Sequence, residues 1–197
     1  MYFEARTPLV MLTFLIGGAR SGKSRVAESL CLGSPRVAYI ATARANDEEM
    51  CARIARHRHD RPTHWDTFEE PLAIVPLLRK IRQEYDVLLL DCLTVWLSNS
   101  LFQFRRQSSK DIEERVLAQL GEFTEHVADT HLIVVANEVG AGIVPSTKVG
   151  RIFRDLQGLA NQQVAAAADQ VLMMVAGIPI QIKPLSSGIP VFPEKSE

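Results

Sequence analysis

The chain has 197 residues, 47% of them hydrophobic and 23% charged, a balance that suits one domain built on one core. Its formal net charge of −1 excludes strong nonspecific attraction to nucleic acid or to an anionic membrane. The apolar stretch Pro8 to Ile16 is far short of the ~20 residues that cross a bilayer, so neither a span nor a cleaved signal is expected.

Residues 1–8 read as a loose leader. Apolar runs then recur at the spacing of strands and helices. Leu9 to Ile16 predicts a strand and Arg25 to Cys31 a helix. Val37 to Ala41 predicts a second strand, and a helix is expected from about Asp47. Leu72 to Gln83 carries Leu72, Val75, Leu78 and Ile81 roughly on one helical face, with Pro76 as a candidate start. Asp86 to Asp91 predicts a buried strand, Ile112 to Val127 an amphipathic helix, and Leu132 to Ala136 another buried strand. Arg151 to Ala168 predicts a long helix and Gln170 to Val175 a strand. A turn at Gly177 to Pro179 leads to a short strand, Ile180 to Ile182. Arg105 to Lys110 is the best candidate for a mobile loop, and residues 184–197 look irregular.

Apolar strands without clean alternation, separated by helices, imply a mostly parallel sheet covered on both faces. The last two strands are close enough for an antiparallel edge hairpin. Cys31, Cys51 and Cys92 form no CxxC pair, so reduced and mostly buried thiols in a cytoplasmic protein are expected.

Gly17, Gly18, Ala19, Arg20, Ser21, Gly22, Lys23 and Ser24 form a G-x4-G-K-S motif between a strand and a helix. That context is what a phosphate-binding loop requires. The glycines allow successive N–H groups to converge on phosphate oxygens, and the following helix adds its positive end. Lys23 is placed to meet the β and γ phosphates, and Ser24 to ligate Mg²⁺. Asp91, at the carboxyl end of an apolar strand, would sit beside this loop and hold the same cation; the plain alternative is a solvated carboxylate at a strand end.

The segment from Arg53 to Arg61 is dense in cations, and Asn46 with Glu49 resembles a capping box before it. Three roles compete for His57. It could stabilise a helix C-terminus. It could join His59 and His64 on a metal, although no Cys or carboxylate completes a zinc spacing. Or it could attack phosphorus, since neutral imidazole has a reference pKa near ~6.5. The residue types alone leave the first and third level.

Further motifs carry a resemblance. Gly17 to Arg25, Tyr39-Ile-Ala-Thr42, Glu49-Met50 with Arg53-Ile54, and His57-Arg58 before Arg61-Pro62 and Trp65 fall in order along the chain. So do Asp91-Cys-Leu-Thr94, Asn137-Glu-Val-Gly140 with Gly142 to Pro145, Phe153-Arg-Asp155 and Asn161-Gln162. From about Phe14 to Lys183 the chain resembles the bifunctional adenosylcobinamide kinase/adenosylcobinamide-phosphate guanylyltransferases of cobalamin biosynthesis.

The resemblance implies a P-loop NTPase fold of the RecA-like kind, Mg²⁺, and GTP and ATP as substrates. It implies a corrinoid substrate and a homotrimer. It places the guanylylated histidine on His57 and nucleotide contacts on Gly17 to Ser24, on Ala41, Thr42 and Ala43, on Arg58, His59, Asp60 and Arg61, on Glu69 and on Asp91. Without it, a small-molecule kinase or a nucleotide-binding assembly module would fit the loop as well.

Overall fold

The computed structural model describes residues 11–44, 61–125 and 131–184. The leader, the helix expected from Asp47 with its capping box, Cys51, and the candidate residues His57, Arg58, His59 and Asp60 lie outside the described residues. So does the tail beyond Pro184.

The strands are β1 (Leu12–Gly17), β2 (Val37–Ala41), β3 (Asp66–Glu69), β4 (Val87–Asp91), β5 (His131–Asn137), β6 (Gln170–Val175) and β7 (Ile178–Lys183). The helices are α1 (Lys23–Cys31), α2 (Ile74–Ile81), α3 (Leu93–Gln103), α4 (Ser109–Glu125) and α5 (Lys148–Ala167). The strands form one sheet in the order β3-β2-β4-β5-β1-β6-β7. All pairings are parallel except β6 with β7, which make the expected antiparallel edge hairpin.

Successive strand residues face opposite sides, so each buried strand feeds two cores. Phe14, Ile40, Leu88, Leu90, Leu132 and Val134 pack with residues of α2, α3, α4 and α5. Leu15, Val37, Tyr39, Leu89, Ile133 and Val135 pack with Ala27 and Cys31 of α1 and with Trp65. Burial on both faces is why these strands read as continuous apolar runs.

Several boundaries differ from the sequence expectation, each for a local reason. α1 begins at Lys23, not Arg25, because Gly22 at φ 92° turns the chain straight into it. α2 begins at Ile74 and puts Pro76 third, where a missing N–H removes only a donor that a helix start leaves unpaired. α4 begins at Ser109, inside the segment expected to be a loop. Ser108 and Asp111 exchange side-chain bonds with each other's backbone N–H at 3.2 and 3.4 Å, a capping box. α5 begins at Lys148, three residues early, because the Thr147 hydroxyl accepts from the Gly150 N–H at 3.2 Å.

Two elements were not expected. β3 is four residues of Asp-Thr-Phe-Glu, too short and polar to show alternation. α3 buries one face, Leu93, Thr94, Trp96, Leu97, Ser100 and Leu101, but polar Thr94 and Ser100 lie on it while Val95 and the exposed Phe102 lie off it, so its sequence shows no clear apolar stripe.

Candidate active site

The carboxyl ends of the parallel strands carry several of the expected residues that the structure describes, along one edge of the sheet. β1 ends at Gly17, which is buried; a Cβ there would lie 2.6 Å from the Met174 carbonyl oxygen, so the close approach of β6 requires glycine. The chain then turns through Gly18, Ala19, Arg20 (φ 57°) and Ser21 to Gly22. The Ser21 N–H donates to the Gly18 carbonyl at 3.3 Å, and the Gly177 N–H donates to the Ser21 carbonyl at 3.0 Å. The loop is thereby pinned to the turn between β6 and β7.

Lys23 is buried although charged. Its ammonium donates to the Gly17 carbonyl at 3.0 Å, the Gly18 carbonyl at 2.6 Å and the Ser21 hydroxyl at 3.4 Å. It therefore lies in the concavity of the loop, where its charge is matched by backbone dipoles. Ser24, half-buried, is the second residue of α1, at the end where helix N–H groups lack intrahelical partners.

Asp91 ends β4. It stands opposite Ala41 of β2, which in turn stands opposite Glu69 of β3, so three expected contacts form one row. β5 lies between β4 and β1, so Asp91 faces the loop from one strand away and is not on its direct neighbour. The Tyr39 hydroxyl donates to Asp91 Oδ2 at 2.6 Å. Burial, with the Asp91 charge beside it, holds the Tyr39 phenol well above its usual pKa, against the opposing pull of Arg61. The Arg61 guanidinium lies 3.3 Å from the centroid of the Tyr39 ring.

Beyond β2 the chain is held tightly. The buried Thr42 hydroxyl donates to the Cys92 carbonyl at 2.8 Å and accepts from the Cys92 N–H at 3.0 Å. Asn99 of α3 bridges the Thr42 carbonyl at 2.9 Å and the Pro71 carbonyl at 3.1 Å. Glu69 is exposed. Its neighbour Glu70 accepts from the N–H groups of Leu72 and Ala73 at 2.9 and 2.7 Å and so serves the start of α2. Asn99 was not anticipated, because nothing in the sequence marks α3 as a helix.

The β5 end is clamped as well. The buried Thr94 hydroxyl accepts from the Asn137 N–H at 2.7 Å, and Asn161 Nδ2 donates to the Asn137 carbonyl at 3.2 Å. Gln157 donates to Asn161 Oδ1 at 2.8 Å. The next residue, Glu138, donates its N–H to the Gly17 carbonyl at 3.0 Å, the same oxygen that Lys23 meets. Three of the separated motifs thus meet behind the loop.

The donor chemistry suits Mg²⁺. A small hard cation takes oxygen ligands, keeps several waters and needs only one or two protein carboxylates beside substrate phosphates. A hydroxyl at Ser24 and a carboxylate at Asp91 are that kind of set. Among the described residues no group of three or more His, Cys, Asp or Glu could enclose a metal. No helix among them is long and apolar enough to cross a membrane.

A buried lysine inside a glycine loop, ahead of a helix and at the carboxyl edge of a parallel sheet, defines a P-loop nucleotide-binding α/β protein. An ATPase from the type III secretion system of pathogenic bacteria shares this fold, with a TM-score of 0.53 at 9% identity over 84% of this chain and 51% of that one. The family model described as cobinamide kinase / cobinamide phosphate guanyltransferase matches residues 13–182, and the chain belongs to that family. It is 44% identical over 174 residues to the bifunctional adenosylcobalamin biosynthesis protein CobP of Pseudomonas aeruginosa, covering 88% of this chain and 98% of that protein. It is 40% identical over 181 residues to the bifunctional adenosylcobalamin biosynthesis protein CobU of Escherichia coli, covering 88% and 100%.

Proposed function

We propose that this chain, as a single P-loop domain, carries out both reactions of its family at one nucleotide site, on the adenosyl form of the corrinoid. In the first, the hydroxyl of adenosylcobinamide's aminopropanol arm attacks the γ-phosphorus of ATP or GTP; the bond to the β-phosphate oxygen breaks, ADP or GDP leaves and the hydroxyl proton passes to solvent. Lys23 and the loop N–H groups stabilise the charge on the transferring group. Ser24 and Asp91 would hold Mg²⁺, which would supply further positive charge to the transferring group. In the second reaction, the imidazole of His57 attacks the α-phosphorus of GTP and pyrophosphate leaves. Adenosylcobinamide phosphate then displaces the histidine to give adenosylcobinamide-GDP.

The observation that carries the nucleotide part is the Lys23 ammonium seated in its loop at the carboxyl edge of the sheet. The guanylyl-histidine step is supported by the family to which the chain belongs and by the cations around His57. Ala41, Thr42, Ala43, Glu69 and Asp91 are assigned to the nucleotide through the family resemblance, and their place at or just beyond the ends of neighbouring strands at that edge supports it. Arg58, His59, Asp60 and Arg61 are assigned to it through the family motif.

A homotrimer in the cytoplasm completes the proposal. The trimer rests on the family resemblance; the apolar face of β7, where Ile178, Ile180 and Ile182 are 64%, 49% and 45% exposed, supports self-association of some order. Light scattering would test the assembly. The chemistry is tested by incubating the protein with α-labelled GTP: acid-labile label on the protein supports the guanylyl intermediate. With γ-labelled nucleotide and the corrinoid, label on the corrinoid without α-label on the protein points to a kinase alone, and no transfer from either position overturns both.

A further inference from the structure

Tyr39 lies in the motif Tyr39-Ile-Ala-Thr42, yet the reactions above give it no task. Its surroundings are specific. The side chain is 2% exposed, packed in the core on the α1 face, and has no room to swing. Its hydroxyl reaches out of that core to Asp91 Oδ2 at 2.6 Å. Its ring carries the Arg61 guanidinium at 3.3 Å. Arg61 is held from the side by the Thr67 hydroxyl at 3.4 Å, while its buried Nε has no hydrogen-bond partner among the described residues.

The terminal torsion of an aspartate is broad, so a carboxylate at a strand end is poorly aimed unless something holds one oxygen. A buried phenol is a strong and immobile holder, and a carboxylate takes such a bond readily. A guanidinium stacked on a ring keeps its charge and its in-plane donors while losing freedom to wander. One residue therefore restrains both the acidic end of β4 and a cation in the segment assigned to the nucleotide.

We propose that Tyr39 is a positioning residue of the nucleotide site, aiming the Asp91 carboxylate at the divalent cation through its hydroxyl and supporting Arg61 against the nucleotide through its ring. The proposal rests on Asp91 being the carboxylate that serves the cation. The two tasks are chemically separable. Tyr39→Phe removes the hydroxyl and keeps the ring; Tyr39→Leu removes both.

The test uses the full chain with a fluorescent GDP analogue as nucleotide and Mn²⁺ as the cation probe. Analogue binding is read without metal, and Mn²⁺ binding to the analogue complex is read by electron paramagnetic resonance. Tyr39→Phe should bind the analogue as wild type does without metal and bind Mn²⁺ about tenfold more weakly, the usual cost of losing a partner behind a metal ligand. Tyr39→Leu should lose metal-free affinity as well. Wild-type Mn²⁺ affinity in Tyr39→Phe overturns the aiming role. Equal loss of metal-free affinity in Tyr39→Phe and Tyr39→Leu overturns the division between hydroxyl and ring. Should Tyr39→Leu fail to fold, by circular dichroism, unchanged metal-free affinity together with weakened Mn²⁺ binding in Tyr39→Phe still assigns the hydroxyl to the cation alone. Asp91→Asn is the control: if it leaves Mn²⁺ affinity unchanged, the assignment of Asp91 itself fails. If it weakens Mn²⁺ and Tyr39→Phe does not, only the role of Tyr39 fails.

Discussion

The Lys23 ammonium donates to the Gly18 carbonyl at 2.6 Å, across five residues of its own loop. The same group meets Gly17, whose carbonyl also accepts from the Glu138 N–H. One side chain thus joins the loop to itself at the point where β5 is fastened.

Lys23→Ala should lower both reactions together, each by at least about a hundredfold, the scale for losing one charge-stabilising donor in a water-excluded site. Parallel assays of corrinoid phosphorylation and guanylyl transfer check this. Full turnover in either assay would remove Lys23 from the common phosphate site.

Gly17→Ala tests packing and not charge. The added methyl would lie 2.6 Å from the Met174 carbonyl, and both atoms belong to paired strands that cannot part without breaking the β1–β6 ladder. A destabilisation of about 1–3 kcal/mol is expected, the scale of overpacking. Denaturant unfolding measures it. Gly18→Ala is the comparison, because nothing lies within 4 Å of its added methyl and its stability should change little.

His57→Ala should separate the two activities. Only guanylyl transfer needs an imidazole nucleophile, so adenosylcobinamide phosphate should accumulate and no adenosylcobinamide-GDP should form. The mutant should also take up no label from α-labelled GTP. Partial loss in the first reaction is compatible, since His57 lies in the segment assigned to GTP. Normal adenosylcobinamide-GDP formation would exclude His57 as the covalent carrier and make His59 the next candidate.

Alkaline stability should depend on Cys31. Burial, then the nearby Glu28 charge, pushes its thiol from 9.0 up to about 12, and its Sγ donates to the Ala27 carbonyl at 3.3 Å. The native thiol stays protonated where the unfolded one has lost its proton. Its stabilising effect is complete below the unfolded pKa and is lost as pH rises from about 9 toward 12. The loss approaches about 1.4 kcal/mol per pH unit in that window. Unfolding of wild type and Cys31→Ala at a series of pH values isolates it, because other groups titrating there are common to both. Parallel curves would refute the assignment.

Contiguous residues alone specify the phosphate loop, the two-sided burial of Val87 to Leu90 and the closing hairpin, because each depends on local backbone chemistry or on periodicity within a few residues. The same information misplaces the start of α5 only by the length of its Thr147 cap. It misses β3, three of whose four residues are polar and which becomes a strand by pairing with β2, and α3, whose apolar Val95 and Phe102 fall off its buried face and blur the stripe. The strand order, and with it the separation of Asp91 from Gly17 by β5, is decided by which apolar faces pack together. Only that packing brings Tyr39 to Asp91, 52 residues away in the chain, and sets Arg61 over its ring. No periodicity reports a contact of that length, since it exists only when two parallel strands lie side by side in one register.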